Sequence, residues 1–78
     1  MSDDRHDALD RARRDCGLSS PELWMRYFAI GGSGGPLQLD AILHGALMAA
    51  DHDHDQIVHA LNERFTELGR NHPLAYRA

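Results

Sequence analysis

The string 51-DHDHD-55, with His59 shortly beyond it, gathers the residue types in this chain best suited to chemistry. Imidazole nitrogens and carboxylate oxygens are ligands for zinc, nickel or copper, and His52 and His54 face the same way wherever the backbone is extended. A metal-responsive reading therefore uses His52, His54, His59 and Asp55. The spacing matches no fixed zinc motif, and no cysteine stands beside these histidines. As a calcium loop counted from Asp51 the string fails, because Gln56 occupies the position that needs glycine and Asn62 the one that needs glutamate. The competing reading is an acidic helix start, with Asp53 as the cap, Gln56 completing a capping box, and the aspartates favouring the positive end of the helix dipole.

The glycine-rich stretch 31-GGSGG-35 is the second candidate. A phosphate loop needs lysine and then serine or threonine after its last glycine, and here Pro36 and Leu37 follow. A dinucleotide fingerprint needs a preceding strand, whereas the segment before this one is capped like a helix. A turn between two helices is the reading that remains. Cys16 sits near a helix C-terminus, where the dipole disfavours thiolate, so it reads as a small core hydrophobe. Trp24, Tyr27 and Phe28 fall on one helical stripe and read as core, while Met25 points nearly opposite and reads as a partner contact. His44 flanks an apolar helix and reads as an interface histidine; His72, before Pro73, reads as extended tail. No arrangement of Ser, His and Asp or of Cys and His emerges, and an enzymatic role has no positive support.

The acidic balance narrows the partners. Twelve acids face eight basic residues, all arginine, for a net charge of −4. Nucleic-acid binding rests on phosphate neutralisation, which such a chain supplies poorly. A helix-turn-helix outline is present, but the helix after GGSGG offers Gln38, Asp40 and His44 with no arginine, so DNA binding is disfavoured. The start of the chain has no apolar signal region, and nothing approaches about 18 consecutive apolar residues. With one cysteine and no disulfide framework, the expectation is a cytoplasmic protein that contacts no membrane.

The elements that must position these residues are helical. With 78 residues, 42% of them hydrophobic, the chain makes one small domain whose limited core leaves oligomerisation open. Residues 3 to 16 place Ala8, Leu9, Ala12 and Cys16 at helical spacing, a thin stripe that predicts a loosely docked helix ended by Gly17. Ser19 or Ser20 caps a helix over residues 19–30 with Leu23, Trp24, Tyr27, Phe28 and Ile30 inward and Gly31 as its stop. Pro36 opens a third helix over 36–49, with Leu39, Ile42, Leu43, Ala46, Leu47 and Ala50 on one face. Its other side carries Leu37, Ala41 and Met48, and Ala41, Gly45 and Ala49 form a row of small residues. The last helix, 53–68, turns Ile57, Val58, Leu61, Phe65 and Leu68 inward and Asn62, Glu63, Thr66 and Glu67 outward. Leu74 and Tyr76 lie in a tail without a period.

The runs 23-LWMRYFAIGG-32, 39-LDAILHGAL-47 and 60-ALNERF-65 together resemble a group of short actinobacterial helical proteins without assigned activity, over roughly residues 19 to 70. That resemblance implies a regulatory or interaction role and carries over no functional residue.

The expectation is thus an all-α bundle of three main helices plus an N-terminal helix, divided as residues 1–17, a core domain 18–70 and a tail 71–78. It requires no cofactor. It binds protein, a homo-oligomeric or regulatory partner, through the second apolar side of the middle helix, with Met25, Leu37, Ala41, His44, Gly45 and Met48 at the interface.

Overall fold

The computed structural model describes residues 4–69, so the tail expectations for His72, Leu74 and Tyr76 lie outside the described residues. Four helices follow one another: α1 (Asp4–Asp15), α2 (Ser20–Ala29), α3 (Pro36–Leu43) and α4 (Asp51–Glu67), with no strand among the described residues. The fold is a small all-α bundle, and one core runs through all four helices.

The long helix α4 is the spine. Ile57, Val58, Ala60, Leu61 and Phe65 are buried along it, facing Leu23 and Tyr27 of α2, Leu39, Ile42 and Leu43 of α3, and Leu9 and Ala12 of α1. Of the thin stripe expected on α1, Leu9 and Ala12 are buried, as is Cys16 just beyond the helix end, while Ala8 is exposed. Polar bonds finish that junction, with Arg13 donating to the Leu18 carbonyl at 2.9 Å and Arg64 of α4 donating to the Cys16 carbonyl at 3.1 Å.

The start of α2 resolves the two cap readings in favour of Ser19. The Glu22 N–H donates to Ser19 Oγ at 3.2 Å and the Ser19 N–H to Glu22 Oε1 at 2.8 Å, a complete capping box. Leu18 and Leu23 are both buried across it, as a hydrophobic staple requires.

Two helix boundaries differ from expectation, and both matter for function. Helix α3 stops at Leu43 rather than near residue 49. Gly45 adopts φ 77°, its N–H reaches the Ile42 carbonyl at 3.1 Å, and the Ala46 N–H reaches the Ala41 carbonyl at 2.9 Å. That paired closure is a Schellman stop, which a left-handed glycine permits at little cost. Gly45 and Met48 therefore leave the helix, and the row Ala41, Gly45, Ala49 does not form. At the other end of the connection α4 begins at Asp51, with Ala50 as its cap and no capping side chain. Asp53 does not cap. Its carboxylate instead accepts the Tyr27 hydroxyl at 3.4 Å, so a tertiary contact replaces the local one.

Along α4, Asn62 is buried where the sequence places it outward, because α1 and α2 both pack on this helix and widen its buried side. Leu68 is exposed, one residue beyond the last helical turn, where the core has run out.

Candidate functional site

The histidine and aspartate string is helical from its first residue, and this decides its geometry. At about 100° per residue, His54 lies roughly 160° round α4 from His52. His54 is buried on the core side with Ile57 and Leu61, whereas His52 and His59 are exposed on the far side. His59 Nε2 lies 3.7 Å from Glu63 Oε2, one turn on. His54 Nδ1 lies 3.5 Å from Asp55 Oδ1 but outside hydrogen-bond geometry, so it has no bonding partner. Among the described residues no three histidine, cysteine or acidic side chains are placed to hold a metal ion, and the set His52, His54, His59 and Asp55 is not brought together. The extended backbone on which that reading depended is not there.

Cys16 is buried, and its thiol donates to the Arg13 carbonyl at 3.3 Å. Burial pushes the thiol up from its ordinary value, a rise that the nearby Leu18 backbone N–H and the Arg64 charge only partly offset. A thiol held in its neutral form is a poor nucleophile.

Ser20, Asp40 and His44 meet on the α2–α3 pair. Ser20 Oγ donates to Asp40 Oδ1 at 3.2 Å, and His44 Nδ1 lies 3.5 Å from Asp40 Oδ2 and 2.8 Å from the Asp40 carbonyl oxygen. In a hydroxyl relay the imidazole stands between hydroxyl and carboxylate. Here the carboxylate stands in the middle, so no imidazole faces the serine and the trio is a helix-to-helix tie.

The glycine loop is built around two aromatic side chains. The Gly34 N–H donates to the Tyr27 hydroxyl at 2.9 Å, and Trp24 Nε1 donates to the Gly34 carbonyl at 2.9 Å. Gly32 lies flat against the Tyr27 ring, where a Cβ would come within 2.5 Å of its carbons. The loop is a packed turn, and it fixes both rings.

Those bonds also fix how α2 and α3 lie. Ser20 meets Asp40 and, one turn forward, Trp24 meets Gly34, so the two helices run antiparallel. On each helix the cross-linking residues sit about a quarter turn from the core side, and continuing round leads to the outer face. From α2 that face carries Pro21, Met25 and Phe28; from α3 it carries Leu37, Ala41 and His44. Leu37 is 85% exposed, Met25 66% and Phe28 59%. Phe28 is not loose, since its ring stacks on Trp24 with centroids 5.1 Å apart. Glu22 and Asp40, the acids nearest this face, accept hydrogen bonds from the Ser19 N–H and the Ser20 hydroxyl and keep their charge.

Of the residues expected at an interface, Met25, Leu37, Ala41 and His44 thus share one side of the α2–α3 pair, while Gly45 and Met48 lie in the connection to α4. Met48 is exposed there. Phe28, expected in the core, belongs to the outer face. It stands at the edge of the α2 stripe, farthest round from Leu23 and Tyr27, and stripe edges in a small bundle reach solvent.

Comparison of the chain with protein-family models, curated proteins and solved structures finds no match. No helix among the described residues is long and apolar enough to cross a membrane.

Proposed function

We propose that this chain is a non-enzymatic protein-interaction module of regulatory type, acting through the outer face of the α2–α3 pair. The observation that carries the reading is an aromatic side chain held in place in the open: Phe28 is 59% exposed yet stacked on Trp24, whose ring N–H is tied to the Gly34 carbonyl. An aromatic ring ordered before contact loses little conformational entropy on binding, which is what gives such residues their weight in interfaces. Met25 and Leu37 extend the surface on either helix.

Magnitudes set the kind of contact. Fully burying a large apolar side chain contributes roughly 1.5–3 kcal/mol, so burying what Met25, Phe28 and Leu37 still expose contributes about 3–6 kcal/mol together. Association itself costs about 4–15 kcal/mol. The surface therefore suits a reversible partner rather than a permanent one.

Hydroxyl-radical footprinting tests this reading. Met25 and Phe28 react readily in dilute purified protein, and in cells that make the protein they are expected to be protected severalfold. Equal reactivity in both settings would refute it.

A further inference from the structure

The interaction reading names a surface and leaves its partner open, and the acids beside that surface narrow the choice. Ser20 bonds to Asp40, so the N-terminal end of α2 meets the C-terminal end of α3, and Glu22 stands at that same end. Met25, Phe28 and Leu37 lie nearer the glycine loop. The face therefore has an apolar end and an acidic end, one helical turn apart: Glu22 precedes Met25 by three residues, and Asp40 follows Leu37 by three.

Both carboxylates are charged and within reach of a partner. Asp40 sits in the seam between the helices with its side chain 47% exposed, one oxygen accepting from Ser20 and the other 3.5 Å from His44 Nδ1. That imidazole nitrogen has a nearer partner in the Asp40 carbonyl oxygen, at 2.8 Å. Glu22 is exposed, and the bond from the Ser19 backbone N–H holds its carboxyl below the ordinary range, so it is ionised at neutral pH. The positive end of the α2 dipole offsets about half an elementary charge of the two. No arginine of these helices answers the rest, because α3 has none and Arg26 of α2 is held by Glu67 at 2.8 and 2.9 Å. Two copies of this face would bring acid to acid, whereas a cation placed there is attracted.

Apolar contact alone scarcely offsets the cost of association on a surface this small, so a specific complex draws on the charges as well. We propose that the face takes a short amphipathic helix of another protein, with leucine or phenylalanine side chains against Met25, Phe28 and Leu37 and an arginine or lysine one turn beyond, beside Glu22 and Asp40. The proposal rests on the interaction reading above and specifies its partner. An antiparallel helix pair offers a groove for a third helix, and the 10 residues of α2 and 8 of α3 match about two to three turns of it.

Selection of a random peptide library displayed on phage against the full chain, followed by anisotropy titration of the recovered peptides, tests this. Peptides bound at the face are those that Leu37→Ser weakens at least tenfold; they are expected to carry arginine or lysine three or four residues from an apolar anchor. Leu37 is 85% exposed, so its replacement leaves the core intact. The double variant Glu22→Gln, Asp40→Asn removes both charges and keeps an acceptor oxygen for Ser19 and for Ser20. It is expected to weaken these peptides about threefold to tenfold at low salt, as two exposed ion pairs do, and the difference closes at high salt. Circular dichroism melting confirms the fold of each variant. Replacing the peptide's basic residue with glutamine is expected to produce the same loss, with no further loss in the double variant. Face-binding peptides that lack a basic residue, or that bind the double variant as tightly as wild type, overturn the proposal and leave the interaction reading intact. A selection that yields no peptide sensitive to Leu37→Ser also overturns it; the interaction reading then stands if Met25 and Phe28 are protected in cells and falls if they are not.

Discussion

At the residue scale, the side chains that promise chemistry are used to hold the molecule together. His54 is turned into the core by the helix that starts at Asp51, and Cys16 packs as a small hydrophobe with its thiol bonded back to Arg13. Residue types were legible in the sequence, but the direction of each side chain was not, because direction depends on where a helix begins. Shifting the start of α4 from Asp53 to Asp51 changes no identity and still separates His52 from His54. Gly32 is the clearest single-residue dependence. A Cβ there would meet the ring carbons of Tyr27 at 2.5 Å, and that ring is buried and held through its hydroxyl by Gly34 and Asp53. Gly32→Ala is expected to destabilise the fold by about 1–3 kcal/mol, as overpacking does elsewhere, and thermal melting would show it. A melting temperature equal to wild type would mean that the loop is looser than described.

At the element scale, helix starts and stops explain both what the sequence revealed and what it hid. The box of Ser19 and Glu22 is a local signal and was readable; Ser19→Ala is expected to cost about 1 kcal/mol. The end of α3 was hidden because Ala46, Leu47 and Ala50 continue the apolar period beyond Gly45, so periodicity and the glycine gave conflicting signals. The glycine decides, since its left-handed backbone lets two N–H groups close the last turn. The two alternatives predict opposite signs for one substitution. In a helix continuing to residue 49, Gly45→Ala would stabilise by roughly 1 kcal/mol, through helix propensity. With Gly45 at φ 77°, the same change is expected to destabilise by about 1 kcal/mol, and chemical denaturation distinguishes them. The consequence reaches function: the apolar surplus of the middle segment is shared between α3 and the connection after it, and α2 supplies the rest of the outer face.

At the scale of the whole molecule, α2 and α4 are joined at the surface by Arg26, Arg64 and Glu67, a tie invisible in sequence because its members are distant in the chain. The Arg26 hydrogen bonds hold the Glu67 carboxyl below its usual range, with Arg64 adding to the effect. A lowered folded-state value means that the unfolded chain takes up the proton first as pH falls. The pair's contribution is therefore present in full above about pH 5 and lost on acidification through the folded value. Glu67→Gln is expected to lower stability slightly above about pH 5 and to leave it unchanged at low pH, so that the acid limb flattens by the same small amount, as for an exposed pair. The number and order of helices were legible in the sequence. The outer face of α2–α3 was legible only in part, since Met25 and Leu37 stand out on their helices but the antiparallel pairing that sets them side by side is a tertiary fact. That pairing is what turns scattered apolar residues into a surface. The most direct test is site-specific photo-cross-linking in cells that make the protein, with the reactive group at position 37 and, as a control, at position 63 on α4. A discrete cross-linked protein species at position 37, absent at position 63 and lost when Phe28→Glu is added, is the predicted result. Equal labelling at both positions, or no species at position 37, would contradict it.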